Sequence, residues 1–423
     1  MKKLLTSAGL VALSVSGLQA AYAPELSDIE RAKPWSISAA LRGFYDDNYT
    51  TQTDALKRDS FGFEVTPSIS LNLPLDQTFV GLKYEYSLRF FEDRSSDKYD
   101  QSHKFEGRLD HQFSERYKLS LSDSFVIAQE PEVLNPGGGA LAFPLRTDGD
   151  NIRNLASINF AAQLTELFKM ELGYGNTYFD YQQDSGDTAP FVSRSALLDR
   201  VEHLASLNFR WLIVPETDAI VGYQFGVVDF TSDESITPAF APAISSDIRN
   251  SRSHYLFGGV DHRFNSQFSG SIRLGAQYVD YYNQDNSTVS PYADASLTYK
   301  YNQGSYVQAG VTHSRTRTDV ATVRTATDVT ADQETTAVYA SLNHKITPNL
   351  VGSLLVQGQR GTFEGGIADG DVEYFFMGGV NFGYTINPHL LAELGYNFDY
   401  LTSDVANREY TRNRVYIGLR ATY

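Results

Sequence analysis

Phe61-Gly62-Phe63-Glu64-Val65-Thr66-Pro67-Ser68-Ile69-Ser70-Leu71-Asn72-Leu73 carries the clearest pattern in the chain. Every odd position is apolar, and every even position is small or polar. Period-two alternation throws successive side chains to opposite faces of a sheet, so this strand divides an apolar environment from a hydrated one. Strands of soluble sandwiches do the same, but they usually run nearer 5–6 residues, whereas about 9–11 tilted residues cross a bilayer. The run from Phe61 to Leu73 is long enough for the bilayer.

On its C-terminal side, the turn Pro74-Leu75-Asp76-Gln77 leads into a second alternating run. Val80, Leu82, Tyr84, Tyr86, Leu88 and Phe90 lie on one face, with Gly81, Lys83, Glu85, Ser87 and Arg89 on the other. The same hairpin pattern recurs at turns around residues 114–116, 165–167, 214–216, 265–267, 302–304, 347–349 and 387–388. Longer polar connections alternate with these turns, near 46–59, 92–101, 130–150, 182–197, 231–249, 283–288, 316–334, 364–371 and 402–409. Together they imply eighteen strands between Trp35 and Tyr423, with both ends of the barrel sequence on the short-turn side. Barrels of outer membranes have short periplasmic turns and long extracellular loops. The expected fold is therefore all-β: a single transmembrane antiparallel up-and-down β-barrel of 16–18 strands, eighteen being the best count. The run at 152–164 alternates poorly, and Pro67 and Pro291 each remove a ladder donor from within a strand.

Met1-Lys2-Lys3, the apolar stretch Leu4 to Leu18 and the small residues Ala20, Ala21 and Ala23 read as a signal peptide over 1–23. The cut is expected after one of the residues 20–23. A short periplasmic segment, 24–34, would precede a barrel over 35–423. The chain contains no cysteine, so neither a disulfide framework nor a lipidated cysteine is expected. The formal charge of −16 becomes −18 without Lys2 and Lys3, which argues against a nucleic-acid partner. Aromatic residues make up 13% of the chain. They collect beside the short turns (Phe113, Tyr117, Phe168, Trp211, Phe264, Phe268, Tyr301) and near the long loops (Tyr45, Phe90, Tyr178, Tyr281, Tyr400), as two interfacial girdles would.

Val415, Ile417, Leu419, Ala421 and the terminal Tyr423 resemble the closing strand of bacterial outer-membrane proteins, although that strand more often ends in Phe. The whole mature chain resembles the outer-membrane β-barrel porin families, including barrels of the exopolysaccharide-associated type. The resemblance implies the cell outer membrane of a Gram-negative-type bacterium, contact with outer-membrane lipid and lipopolysaccharide, and recognition by the barrel-assembly machinery through the strand ending at Tyr423. It also implies a homotrimer as a candidate assembly.

Strand parity places charges of both signs on the inner wall. The candidate lumen charges are Arg42, Glu64, Lys83, Glu85, Arg89, Arg108, Glu171, Arg210, Arg273 and Glu393. Such charges set a transverse field that biases which solutes pass, or else pair across neighbouring strands and only hydrate the wall. The connection over 130–150 carries Asn135, Gly137, Gly138, Gly139 and Phe143. It is read as a constriction folded into the barrel, with a free external loop as the alternative. Acid-rich loops, among them Asp46, Asp47, Glu92, Asp93, Asp97, Asp100, Asp369, Asp371 and Glu373, would attract cations at the mouth. The eight histidines show neither metal-ligand spacing nor a nucleophile partner, so no catalytic, cofactor or metal residue is assigned, and no enzyme is expected. The expected function is passive diffusion of small polar solutes or ions. Export of exopolysaccharide and a structural or adhesive barrel are the alternatives.

Overall fold

The computed structural model describes residues 34–128, 150–188, 191–284 and 286–423. The expected signal segment 1–23 and the glycine-rich candidates Asn135, Gly137, Gly138, Gly139 and Phe143 lie outside the described residues. Eighteen strands form one sheet. They are β1 (Trp35–Asp46), β2 (Ser60–Pro74), β3 (Thr78–Phe91), β4 (Tyr99–Gln112), β5 (Tyr117–Ala128) and β6 (Asn151–Gln163). Then come β7 (Phe168–Tyr181), β8 (Arg200–Val214), β9 (Thr217–Phe230), β10 (Ser251–Arg263), β11 (Phe268–Tyr281) and β12 (Asn286–Asn302). The last six are β13 (Ser305–Thr316), β14 (Asp332–Thr347), β15 (Leu350–Glu364), β16 (Val372–Asn387), β17 (Leu390–Ser403) and β18 (Tyr410–Thr422).

Each strand pairs antiparallel with its sequence neighbours. The ring closes where β1 pairs with β18, from Ser38 opposite Thr422 to Asp46 opposite Arg414. Closure leaves no free sheet edge around the ring, which is what a spanning sheet needs when lipid offers no hydrogen bonds. The outer face is apolar and bare: Leu41 is 59% exposed, Leu256 63% and Ile417 67%. At roughly 25 cal/mol per Å² of apolar surface, an exposed belt of this extent is costly in water and free in lipid. On the inner face Ser36 and Ser38 are buried and meet the hydroxyls of Ser70 and Ser68.

The poorly alternating run at 152–164 nevertheless forms β6, paired along its whole length with β5 and β7. Both in-strand prolines mark breaks in one ladder only. The amides of Asn72 and Lys300 point to the strand preceding their own, donating to Pro34 and Gln267. Odd-numbered amides of β2 and β12 therefore face β3 and β13, and the donors that Pro67 and Pro291 lack fall on those sides. The β2–β3 register accordingly skips from Val65 to Ser68, and the β12–β13 register stops at Ala293 opposite His313.

Two expectations are corrected. The long connection expected at 283–288 is shorter, because Asn286, Ser287 and Thr288 continue β12 opposite Tyr281, Asp280 and Val279. Tyr281 is no girdle residue: it is 2% exposed, turned inward, and its hydroxyl donates to Asp332. At the other end of β12, Gly304 takes a φ of 73° in the two-residue turn to β13, a conformation that costs a side chain and suits glycine.

Candidate functional site: the lumen and its cap

The interior charges gather in two patches. In the first, Arg42 Nε donates to Glu393 Oε2 at 2.7 Å and Arg42 Nη1 to Glu64 Oε2 at 3.2 Å. Arg89 reaches Glu64 at 3.2 Å, and Arg420 reaches Glu393 at 2.9 Å. This patch straddles the closing seam, on β1, β2, β3, β17 and β18. In the second, Arg210 pairs with Asp261 and approaches Asp218 at 3.5 Å and Glu171 at 3.7 Å, while Arg273 bonds Asp261 at 2.8 Å. It spans β7 to β11. β1 and β10 are nine strands apart in a ring of eighteen, so the two patches face each other across the lumen.

Between them on one side, Lys83 and Glu85 pair along β3 at 2.9 Å, and Arg108 and Asp110 along β4 at 2.7 Å. On the other side, β12 to β15 carry Ser290, Gln308, Thr335 and Gln357, with Tyr292 and Tyr339 among them, together with Asp294 opposite Arg273 and the buried pair Arg315–Asp332 at 2.8 Å. All ten candidate lumen charges thus have partners of opposite sign within the wall. The paired walls supply fixed dipoles rather than a stripe of one sign.

The long-loop end is covered. The connections at 182–199, 231–250 and 317–331 fold towards one another and share an apolar core of Ala196, Ile236 and Val329, against which Val192, Ile244, Ile248 and Val323 pack. Arg249, 1% exposed, holds the three together: it donates to the carbonyls of Leu197 at 2.9 Å and Thr318 at 2.5 Å and lies over the Phe230 ring. Burial first, and then the positive charges of Arg200 and Arg317, push its pKa down to about 9. Asp199 caps the helix Arg194–Leu198 and accepts the Tyr181 amide at 2.7 Å. Burial, reinforced by Asp180 and Glu234, raises its carboxyl to about 7.

A second apolar cluster, Val320, Phe363 and Ala368 with Val405, continues the cap towards β16 and β17. There Arg408 grips Asp319 at 2.8 and 3.0 Å and Glu373 at 2.7 Å. Burial alone would lower the Arg408 pKa, but Asp319 and Glu373 hold it above its ordinary value.

Four of the acidic loop residues are engaged locally. Glu373 binds Arg408, Asp46 binds Arg412, Asp100 binds Arg94, and Asp369 accepts the Gly365 amide. Strand parity does not single out the cap residues. Their signal is the apolar side chains Ile236, Ile244, Ile248, Val320 and Val329 inside stretches otherwise polar.

A family model described as "Putative beta-barrel porin 2" matches residues 333–423, the last five strands. No curated protein matches the chain. Among solved structures, the outer membrane protein OpdK from Pseudomonas aeruginosa is 12% identical, with 92% of this chain and 99% of that one covered and a TM-score of 0.45. OccAB4 of Acinetobacter baumannii gives 11%, 92%, 99% and 0.44. A BenF-like porin from Pseudomonas fluorescens Pf-5 gives 9%, 92%, 99% and 0.48. The chain is thus a closed eighteen-stranded antiparallel β-barrel with a bare apolar belt and a charged interior, and its last five strands are similar to the porin family whose model they match.

Proposed function

We propose that the protein is a passive channel for small polar solutes or ions, with its long-loop end outside the cell and its short turns in the periplasm. The observation that supports this reading is the pair of opposed, ion-paired charge patches around Arg42 and Arg210, three arginines with two glutamates on one wall and two arginines with three carboxylates on the other. Two ion-paired walls facing each other keep the space between them hydrated and impose a transverse field, so a dipolar solute is oriented while its net charge is little penalised. The cap formed by the connections at 182–199, 231–250 and 317–331 covers the long-loop end of the path. The lumen charges and the cap together would then determine selectivity.

The test is single-channel recording of the purified barrel in a planar lipid bilayer under a salt gradient. Stepwise current with a measurable reversal potential is expected. A folded, inserted barrel that carries no ion current overturns the reading.

A further inference from the structure

The wall is not continuous all the way up. β12 stays paired with β11 as far as Asn286 opposite Tyr281, and β13 stays paired with β14 as far as Thr316 opposite Gln333. Between β12 and β13, however, the ladder ends at Ala293 opposite His313. The missing Pro291 donor explains where it ends. The next amide on β13, that of Arg315, would have bonded to Pro291; it donates instead to Gln277 Oε1 at 3.0 Å. Gln277 is an inward side chain of β11, so the end of β13 has swung across the inner face of β12.

The wedge left between the strands is closed by one side chain. Arg315 Nε donates to Ser290 Oγ at 2.6 Å and Nη2 to Thr288 Oγ1 at 3.2 Å, both on β12, while Nη1 bonds Asp332 of β14 at 2.8 Å.

The height of this wedge matters. Val289, beside it, is 69% exposed on the outer face and stands opposite Tyr278. Tyr278 contacts the ring of His254, whose Nδ1 meets the Tyr223 hydroxyl. His254 and Tyr278 lie three residues inside the long-loop ends of β10 and β11, and outward aromatics at such ends mark the level where lipid chains give way to headgroups. The outer lip of the wedge is apolar (Val289, Pro291). Its inner lip carries neutral hydroxyls and an amide (Ser290, Thr288, Gln277) around the Arg315–Asp332 ion pair, with Glu364 3.3 Å from Arg315, and below it the Tyr292 ring contacts those of Tyr255 and Phe257 on the lumen wall.

From this geometry we infer that the β12–β13 seam is a lateral portal between the lumen and the adjacent leaflet, latched by Arg315. It passes uncharged amphipathic solutes with an aromatic body, which would enter from lipid and leave along the aromatic wall. This is a second path, distinct from axial diffusion. It borrows from the proposed function only the orientation that makes the leaflet the outer one.

The chain has no cysteine, so a single fluorescent bimane can be placed at Ser314→Cys, inward on the splayed end of β13, or at Ser253→Cys. Ser253 is inward on β10 and is paired on both sides. The labelled barrels are inserted into vesicles containing either a phospholipid with a nitroxide near the head of its acyl chain or the neutral aromatic nitroxide TEMPO benzoate. Severalfold stronger quenching at 314 than at 253 is expected with both, and a further increase in the Arg315→Gln background. Equal quenching at the two sites, with and without Arg315→Gln, overturns the portal. Quenching at 314 by the nitroxide lipid but not by TEMPO benzoate overturns the assigned solute class. Aqueous iodide reports the water-filled lumen independently, and heat-modifiable gel migration confirms folding of each variant.

Discussion

Arg42 and Glu393, 351 residues apart in sequence, meet inside the barrel with Nε to Oε2 at 2.7 Å and bind the first strand to the last-but-one across the closing strand. Glu393 is 2% exposed and also accepts Arg420 from β18 itself, so one carboxylate is shared by two arginines on either side of the seam. Removing one member of a buried pair strands the charge of the other, at about 3–5 kcal/mol. Glu393→Ala is therefore expected to lower the temperature at which the folded band is lost on a gel. Lys83→Ala, which breaks a more exposed pair within β3, its side chains 24% and 26% exposed, should cost about 1 kcal/mol or less. Equal effects of the two would show that the seam does not depend on this carboxylate.

Much of the barrel could be read from residues such as Leu41 and Leu256, because within the bilayer every outward side chain must be apolar and parity then fixes the inward set. The same rule brought Arg42, Glu64 and Glu393 to one wall from three distant stretches. Nearness to a long loop, by contrast, misplaced Tyr281 in a girdle, although it has the parity of the inward Arg273 on β11. The strands run 12 to 17 residues, longer than the bilayer requires, and above the girdle the cap rather than lipid decides which face is buried. The cap was illegible for a related reason. Ile236 and Val329 pack only when two loops remote in sequence meet, and no local period records that meeting. Pro67 and Pro291 stood out as anomalies, and each proved to mark the place where a ladder lets go.

The Asp199 carboxyl, raised to about 7, makes the cap sensitive to pH. A free aspartate titrates near pH 4. Between those values the folded cap holds a proton that the unfolded loop has released, so the cap's stability falls as pH rises from about 4 through 7. Current noise and open-state flicker are expected to grow over this window. Asp199→Asn, neutral at every pH, should keep the quiet acid-side behaviour throughout. A variant that still shows the same pH response would assign it to another group.

Arg249 holds three loops through two carbonyls, with its charge depressed by burial and by Arg200 and Arg317. Arg249→Ala leaves the carbonyls of Leu197 and Thr318 without this donor and opens a void beneath Phe230. A destabilisation of the cap by about 2–4 kcal/mol is expected, visible as larger single-channel conductance and faster proteolysis within 182–199 or 231–250. The barrel's heat-modifiable migration should be unchanged, because the strands do not depend on this contact. Unaltered conductance together with unaltered proteolysis would mean that the cap is held by its apolar core alone.

Charge removal from the two opposed walls should act in opposite senses. Arg210 faces Asp261, Glu171 and Asp218, so Arg210→Gln leaves three carboxylates sharing only Arg273 and Lys169. Glu393→Gln leaves Arg42 and Arg420 in excess on the other side. In a potassium chloride gradient the first variant is expected to move the reversal potential towards the potassium value, and the second towards the chloride value. At a separation of about one Debye length the wall charges are only partly screened, so both shifts should shrink as salt rises from 0.1 to about 1 M. Opposite shifts that fade with salt would place the selectivity field in these walls. Shifts absent at every salt concentration would place it in the cap, where Arg249→Ala would then be the variant that moves it.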